Sequence, residues 1–389
     1  MAKSALGIAV VGVGGAVGTT MAAGIELLKK GVIGLEGLPL SGVNVDGLVD
    51  YTDIKIAGWD LFADDLAAAA ESHAVLSDRQ LAAIRDELSM VRPWPAIGNE
   101  RFLSLIEGDN KIGGGHRAVI EKLRADLAGF KAECDSAVVI NLASTEKLSH
   151  EGNDAFNDLD AFERALDEDS AEVSPAMLYA YAAIAEGVPY GNFTPSTAAD
   201  ISALIEFAEK QNVPIAGKDG KTGQTFIKTV LAPALKSRAL HVDGWFSTNI
   251  LGNRDGLALS NEESLASKIK TKQSVLDDIL GYHVEDHIVD IRYYRPRGDD
   301  KEAWDNIDIR GFLGQRMQIK VNFLCKDSIL AAPLAIEIAR CLELAQKRGE
   351  AGIQEQLSVF FNLPMSRSGS PVHDFHLQEG KLFEWLSKK

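Results

Sequence analysis

Cysteine is scarce in this chain of 389 residues, which carries only Cys134, Cys325 and Cys341. Their wide separation lacks the spacing of a metal site, and we interpret them as buried free thiols in a reducing compartment. Long apolar runs are also missing, because no stretch approaches eighteen unbroken apolar residues, so we expect no membrane span. The first eleven residues lack the basic segment and cleavage site of a signal peptide, and we predict a cytosolic location.

Basic residues are outnumbered, since 40 lysines and arginines face 56 aspartates and glutamates, which gives a formal net charge of −16 at pH 7. This balance argues against nucleic acid or an anionic membrane as the main partner. An acidic protein that binds an anion must gather its lysines locally, so a cluster of lysines is informative here. The length predicts two domains, and whether one interrupts the other stays open at this point.

Apolar runs that alternate with amphipathic helices predict a parallel sheet with helices on both faces. Polar loops repeatedly follow the strands, at the edge where open α/β sheets bind ligands. The predicted strands of this sheet are Ala5–Val11, Val43–Val49, Ile54–Trp59, Ala137–Leu142, Val188–Phe193 and Val213–Ala216. The predicted helices are Thr19–Lys30, one opened by the capping box Ser77-x-x-Gln80, Arg117–Ala128, Met177–Glu186 and Thr197–Gln211.

After about residue 225 the pattern changes. Val242–Thr248, Ile288–Tyr294 and Gln318–Leu324 predict a second sheet, mixed or antiparallel. Ile329–Lys347 and Gly352–Phe361 are patterned as helices that pack back on the first domain. The predicted fold class is therefore α/β, a doubly wound Rossmann-like parallel sheet with an inserted α+β domain.

A glycine-rich turn joins the first predicted strand to the first helix. Glycines permit a positive φ and close approach of a pyrophosphate, and the start of the helix offers N–H groups and a positive dipole end. The spacing G-x-G-G-x-x-G is one residue longer than the usual dinucleotide motif, and a tight structural turn is the alternative. The predicted cofactor-binding residues of the turn are Gly12, Gly14, Gly15, Ala16, Val17 and Gly18.

Asp60 ends a later strand, where a carboxylate can accept hydrogen bonds from a ribose. It lies farther from Gly18 than the roughly 20 residues typical of such motifs, so a solvated loop carboxylate is an equal alternative. A carboxylate at this position favours NAD over NADP, because it repels a 2′-phosphate.

The segment from Gly217 to Asp278 concentrates groups that suit an anion. In Asp219–Thr225, glycines beside hydroxyl and amide side chains let backbone N–H groups converge, although a polar loop with turn glycines is the alternative. Lys268 and Lys272 are four residues apart and would share one helix face, which alone is better interpreted as a solvated face.

Two charged residues follow this segment. Lys301, by itself, would be part of an ordinary charged turn. Asp327 stands at the edge of an apolar run, where a carboxylate is either buried with a partner or functional.

Taken together, these stretches resemble the myo-inositol-1-phosphate synthase (inositol-3-phosphate synthase) family, most of all its short archaeal and bacterial branch. The similarity spans nearly the whole chain, and so many ordered matches are far more specific than any single motif. The matching stretches are Gly12–Gly18, Gly58–Asp60, Asn141–Glu146, Pro189–Ser196, Asp219–Thr225, Asn249–Gly256, Ser267–Asp278 and Asp327–Leu334.

The resemblance implies an isomerase of the intramolecular lyase type, which cyclises D-glucose 6-phosphate to 1D-myo-inositol 3-phosphate with NAD and no net redox change. The sugar is oxidised at C5, enolised, closed by an intramolecular aldol step and reduced. It further implies an NAD-binding domain at 1–224, a catalytic and tetramerisation domain at 225–328, and C-terminal helices at 329–389. A homotetramer is implied too, whereas use of a divalent or monovalent cation stays open.

The resemblance also assigns roles to single residues. Lys268 and Lys301 would stabilise the enolate and alkoxide oxyanions, and Lys272 would hold the phosphate. The phosphate set further includes Thr222, Gly223, Gln224 and Thr225. Ser144, Thr145, Asp219 and Asp255 join the predicted cofactor-binding residues. The predicted catalytic residues are Lys268, Lys272, Lys301, Asp327, Asn249 and Asp219.

One position departs from the family pattern, which reads aromatic-aromatic-Lys-x-Pro where this chain has Phe360-Phe361-Asn362-Leu363-Pro364. Asparagine carries no charge, and loss of an oriented cation costs on the order of 10²–10³ in rate if nothing replaces it. One hypothesis is a synthase with a rearranged corner, in which Arg367, His373 or His376 takes the place of the cation. The alternative is a related NAD-dependent cyclase or oxidoreductase acting on another sugar phosphate. A non-catalytic NAD-binding protein is a third hypothesis, against which the lysines and Asp327 argue.

Overall fold

The computed structural model describes residues 4–103, 108–147, 152–252 and 275–388. Its strands are β1 Ser4–Val11, β2 Ile54–Asp60, β3 Trp94–Pro95, β4 Cys134–Asn141, β5 Tyr190–Asn192, β6 Pro214–Gly217, β7 His241–Leu251, β8 Asp286–Tyr293, β9 Asp300–Arg310, β10 Arg316–Lys326 and β11 Gly352–Ile353. Its helices include α1 Ala16–Lys29, α2 Leu66–His73, α3 Asp78–Ser89, α4 His116–Ala132, α5 Leu159–Asp167, α6 Pro175–Ala185, α7 Ser202–Lys210, α8 Gln224–Ser237, α9 Asp327–Lys347 and α10 Phe375–Leu386. None of the helices in the described ranges is long and apolar enough to cross a membrane.

The first sheet has seven parallel strands in the order β11-β6-β5-β4-β1-β2-β3. Its central strands are apolar along their length because both faces are buried. In β1, Ile8 and Val10 pack into one core, whereas Ala9 and Val11 pack into the core on the opposite face. The strand order reverses between β1 and β4, and this switch point opens a crevice at the carboxyl ends of the strands.

Helices cover both faces of this sheet. Residues of α4, α5, α6 and α7 form one core, and residues of α1, α2, α3, α9 and α10 form the other. The doubly wound Rossmann-like architecture predicted from the sequence is therefore confirmed. The predicted capping box is confirmed as well, since Ser77 caps α3 and the Gln80 side chain accepts a hydrogen bond from the Ser77 N–H.

The second sheet is mixed, with the order β10-β9-β7-β8. β7 and β8 are parallel, whereas β9 is antiparallel to both β7 and β10. One face packs against α8, where Ala232 and Leu235 meet Trp245 and Ile307 in a separate core. The chain leaves the first sheet after β6, enters the second sheet through α8 and returns to the first through α9.

Two sequence predictions are wrong. Val43–Val49 is irregular rather than a strand, because side chains of α9 bind the backbone of this loop: Leu40 N–H donates to Glu337 Oε1 over 3.0 Å, and Arg340 Nε donates to Val49 O over 2.7 Å. Gly352–Phe361 is not one helix. Gly352 N–H donates to Val213 O over 3.0 Å, which starts β11, and a 3-10 helix follows at Glu355–Phe360.

Candidate active site

The glycine turn closes directly over the end of β2. The N–H groups of Gly12 and Val13 donate to Trp59 O over 2.8 and 3.1 Å. Gly12 has a φ of +85°, and a Cβ at Gly18 would lie 2.5 Å from Val13 O, so these positions need glycine. The turn places the start of α1 at the crevice. The N–H groups and the positive dipole end of this helix suit a pyrophosphate there.

Asp60 fixes this turn from β2. Gly14 N–H donates to Asp60 Oδ2 over 2.9 Å, and Phe62 N–H donates to Asp60 Oδ1 over 3.1 Å. Asp60 is buried and lines the cleft, so it is not a solvated loop carboxylate. His73 joins the same wall, with Nε2 2.9 Å from Gly14 O. The bare glycine backbone beside a buried carboxylate fits the pyrophosphate and ribose of a dinucleotide.

The loops after β4 and β5 are shaped by two buried asparagines. Ala143 N–H donates to Asn141 Oδ1 over 3.1 Å. Asn192 Oδ1 accepts from Thr194 Oγ1 over 2.8 Å, and its Nδ2 donates to Ser196 O over 2.7 Å. Beyond the strand ends the backbone no longer forms the hydrogen bonds of the sheet, and these side-chain bonds take their place. They therefore fix the conformation of the loops along the cleft. The predicted cofactor-binding residues Ser144 and Thr145 line this part of it.

The loop after β6 carries the predicted phosphate residues. Asp219 has a φ of +61°, and its N–H donates to Thr194 O over 2.9 Å. Helix α8 then begins at Gln224 behind Gly223. Thr222, Gly223, Gln224 and Thr225 all line the cleft, so the start of α8, with its unpaired N–H groups, borders it.

Lys301 of β9 and Asp327, the first residue of α9, close the cleft at this end. Lys301 Nζ donates to Asp327 Oδ1 over 2.9 Å, and Thr222 Oγ1 donates to the same oxygen over 3.3 Å. A Cβ at Gly223 would lie 3.2 Å from Lys301 Nζ, so the ammonium group lies against the phosphate loop. Lys301 stands on β9 with 9% of its surface exposed. It is therefore a buried cleft residue and not part of an ordinary charged turn.

Four buried polar atoms at this end of the cleft have no hydrogen-bond partner among the described residues. They are Gln224 Nε2, Thr225 Oγ1, Asn249 Oδ1 and Asn362 Oδ1. Asn249 itself is held by the bond from its Nδ2 to Gln224 Oε1, over 2.7 Å. A buried polar group left without a partner costs about 1–3 kcal/mol. The three of these residues that line the cleft, Gln224, Thr225 and Asn362, fit a polar ligand that satisfies their unpartnered atoms when it binds.

Comparison with known proteins identifies the family. An NAD-binding family model described as myo-inositol-1-phosphate synthase matches residues 43–387. The chain belongs to this family. The prediction of an enzyme of the inositol-3-phosphate synthase type, an isomerase, is confirmed by the same match and by the relatives.

Among the synthase relatives, inositol-3-phosphate synthase 1 of Bacteroides thetaiotaomicron is 43% identical over 100% of this chain and 95% of that protein. Inositol-3-phosphate synthase 1 of Oryza sativa subsp. japonica is 30% identical over 88% of this chain and 75% of that protein. The crystal structure of inositol-3-phosphate synthase from Caenorhabditis elegans has a TM-score of 0.90 at 26% identity, and covers 100% of this chain and 86% of that one.

Three residues that the synthase resemblance assigned cannot be placed. Asp255, Lys268 and Lys272 belong to residues 253–274, which lie outside the described residues. Most of the other predicted residues meet in one place. The residues that line a single cleft are Gly12, Gly15, Ala16, Val17, Asp60, Ser144, Thr145, Asp219, Thr222–Thr225, Lys301 and Asp327. Gly14 and Gly18 of the glycine turn are not among its lining residues. Asn249 lies directly behind this lining and acts on it through Gln224.

The corner at Asn362 does not contain the substitute cations that the sequence left open. Arg367 donates to Ala351 O and Ile353 O, and His373 lies near Asp278 with 3.6 Å between Nε2 and Oδ2. None of Arg367, His373 and His376 lines the cleft. Lys301 is the one lysine among the described residues that line it. Asn362 itself lines the cleft, beside Asp219.

Sequence reasoning missed two titratable groups next to the site. Burial raises the pKa of Glu146 to about 7, and its Oε1 accepts from Ala176 N–H over 2.9 Å at the start of α6. Burial lowers the pKa of Lys221 to about 7, and its Nζ donates to Gln378 Oε1 of α10, away from the cleft. Both stand inside matched stretches, but no local pattern indicates whether their side chains turn into the protein.

Proposed function

We propose that this protein converts D-glucose 6-phosphate to 1D-myo-inositol 3-phosphate by an NAD-dependent cyclisation. One observation carries the proposal: a single cleft joins the dinucleotide turn of the first sheet to a buried lysine–aspartate pair and a helix start from the second. Membership of the synthase family supports the same reaction.

The glycine turn and Asp60 would hold NAD, with Ser144 and Thr145 along its path. When bound, NAD supplies the oxidation at C5 of the sugar and the matching reduction after ring closure, which leaves no net redox change. A C5 ketone acidifies the protons on C6, one of which passes to an oxygen of the substrate's own phosphate, and the enolate carbon then attacks the C1 aldehyde. The protein must therefore bind a phosphate and steady two successive oxyanions.

The start of α8 would bind the substrate phosphate. N–H groups at a helix start attract anions through their unpaired hydrogens and the helix dipole. The unpartnered Gln224 Nε2 and Thr225 Oγ1 supply further hydrogen bonds, and Asn249 orients the Gln224 amide. Lys272 completes this set in our proposal.

Lys301 would stabilise the oxyanions. Its Nζ is buried, so its charge acts in a medium of lower dielectric than water, and Asp327 fixes the position of Nζ through a 2.9 Å hydrogen bond. Lys301 can pass a proton from Nζ to the alkoxide that forms in the aldol step. We propose Lys268 as the second cation, and Asp219 and Asp255 as residues around the nicotinamide and the sugar.

Three structural expectations belong to this proposal. The chain divides into the NAD-binding domain 1–224, the catalytic and tetramerisation domain 225–328 and the C-terminal part 329–389. Assembly into a homotetramer through the second sheet is supported by apolar side chains on its outer face, such as Phe246, Ile288 and Leu324, which are exposed. No cluster of three metal-ligating side chains exists among the described residues, and the use of a cation stays open in this proposal.

The test is to incubate the purified protein with NAD and glucose 6-phosphate, with Mg²⁺, NH₄⁺, K⁺ or chelator. Phosphorus NMR should detect an inositol monophosphate whose phosphate survives acid and is released after periodate oxidation. A Lys301→Met variant serves as the inactive control. Absence of the product under every cation condition would refute the proposal.

A second candidate is a related cyclase or oxidoreductase for another sugar phosphate, and Asn362 favours it. Its neutral amide stands where the resemblance places a lysine. A panel of aldose and ketose phosphates should be tested with the native protein and with Asn362→Lys. Turnover of glucose 6-phosphate that only the variant shows would favour this candidate over the first.

A further inference from the structure

The side-chain amide of Asn362 has one possible orientation. Its nitrogen lies 2.9 Å from Asp219 Oδ2 and 3.1 Å from Gly220 O, and both of these atoms are acceptors. Only the NH₂ group can face them, since an amide oxygen there would meet two other oxygens. Asn362 Oδ1 therefore points away from this pair.

The backbone locks the residue in this place. Asn362 N–H donates to Asp219 O over 2.6 Å, and Leu363 N–H donates to Lys218 O over 3.2 Å. Asn362 is 5% exposed, so its side chain has no space to turn outward. It still lines the cleft, and Oδ1 has no hydrogen-bond partner among the described residues. A fixed, buried acceptor without a donor is unfavourable, so we expect a bound ligand to supply a hydrogen-bond donor to it.

The missing partner is a hydrogen-bond donor, and the donors that a sugar phosphate or a dinucleotide carries are uncharged hydroxyl and amino groups. An oxyanion or a phosphate at this corner would meet the partial negative charge of Oδ1 and the nearby Asp219 carboxylate. A hydroxyl or amino hydrogen would instead satisfy Oδ1 and be held in one direction. A lysine at this position would act in the opposite sense, because its ammonium group accepts no hydrogen bond.

We infer that Asn362 Oδ1 accepts a hydrogen bond from a neutral donor of the bound ligands, either a hydroxyl of the sugar phosphate or the carboxamide NH₂ of the nicotinamide. This inference rests on the proposed function, because it assumes that both ligands share the cleft. By this inference Asn362 determines specificity, because it recognises a ligand group that stays protonated. The lysines stabilise the oxyanions.

The test measures dissociation constants rather than turnover. In the sugar arm, protein loaded with NADH, which cannot oxidise the sugar, is titrated with glucose 6-phosphate and with its 2-, 3-, 4- and 5-deoxy analogues. In the dinucleotide arm, the protein is titrated with NAD and with 3-acetylpyridine adenine dinucleotide, which carries a methyl group in place of the amide NH₂. Wild type should bind one analogue about 10- to 100-fold more weakly than its parent ligand, because a buried acceptor loses its donor.

Asn362→Leu should abolish that discrimination while its affinity for inorganic phosphate stays unchanged. Asn362→Ala gives a second, smaller variant, also without an acceptor, in case the leucine protein does not fold. The matched control is Asn157→Leu, which removes an exposed bond of the same kind, from Asn157 Nδ2 to Asp154 Oδ1 over 3.2 Å. It should keep full discrimination.

If an analogue binds more weakly in the sugar arm, the donor is a sugar hydroxyl. If the analogue binds more weakly in the dinucleotide arm, the donor is the carboxamide NH₂. Equal affinity of wild type for parent and analogues in both arms overturns the inference, as does discrimination that survives in the variants. Because binding needs no reaction, a protein that discriminates but forms no inositol phosphate would contradict the proposed function alone.

Discussion

Lys301 and Asp327 meet where the second sheet passes into α9, with 2.9 Å between Nζ and Oδ1. Lys301 lies on β9 of the second sheet, and Asp327 is the first residue of α9, which packs on the first sheet. Both side chains are largely buried, so the pair is poorly screened by solvent. The bond thus fixes the position of the Lys301 ammonium group where the second sheet borders the cleft.

Replacement of Lys301 by methionine should lower kcat by about 10²–10³, the cost of removing one oriented oxyanion partner. Methionine keeps the apolar stem, so the affinity for NAD should stay within twofold of the native value. Steady-state kinetics and NAD titration measure the two effects. Lys381→Met, on the exposed face of α10, is the control and should leave kcat unchanged.

Lys301 and Asp327 should act as one unit in a double-mutant cycle. Asp327→Asn should lower kcat, because Lys301 Nζ loses the charged partner that fixes it. Addition of Asp327→Asn to Lys301→Met should then cost little more, since the group that Asp327 positions is already gone. Strictly additive effects on kcat would contradict this positioning role.

Asp60→Ala should weaken NAD binding by roughly ten- to a hundredfold, because the carboxylate accepts the Gly14 N–H bond that shapes the glycine turn. The preference for NAD over NADP should also fall, since the charge that repels a 2′-phosphate is removed. Calorimetric titration with both dinucleotides checks the two effects. An unchanged NAD/NADP ratio would exclude Asp60 from the ribose site.

Glu146 should make stability depend on pH. Burial raises its pKa from 4.5 to about 7, so the folded protein holds this proton more tightly than the unfolded chain does. Its contribution to stability is complete below pH 4.5 and is lost as the pH rises through about 7, by at most about 3 kcal/mol. Between pH 5 and 8, the urea concentration at the midpoint of unfolding should therefore fall less for Glu146→Gln than for wild type. Parallel curves for the two proteins would contradict a raised pKa.

The sequence predicts the parts of this molecule that depend on local signals. The glycine turn, the apolar strand before it and the Ser77 capping box each lie within a few residues, so their patterns are complete in the sequence. β9 was missed because its buried face includes the charged residues Lys301 and Asp305, which break the apolar/polar alternation that predicts a strand. The partners of Lys301 depend on strand register and on the return of the chain 26 residues later, which no local pattern encodes.

The same limit explains the wrong prediction at Val43–Val49. Its apolar residues resemble a strand, but Glu337 and Arg340 bind the backbone around it from almost 300 positions farther along the chain. The unpartnered amide atoms of Gln224, Asn249 and Asn362 could not be predicted from the sequence either. These residues belong to three separate segments, and whether an amide finds a partner depends on how the segments meet in the fold. Family resemblance supplied which residues matter, and only the structure supplies which way they face.

The return of the chain through α9 has a consequence for biosynthesis. Ile338 and Leu342 of this helix cover the face of the sheet that contains Leu6 and Ile8. A ribosome makes that helix only after the whole second sheet, so the nascent chain carries an uncovered apolar surface for most of its synthesis. We expect this surface to be a natural binding site for chaperones, and the first sheet to gain its final stability only near the end of translation.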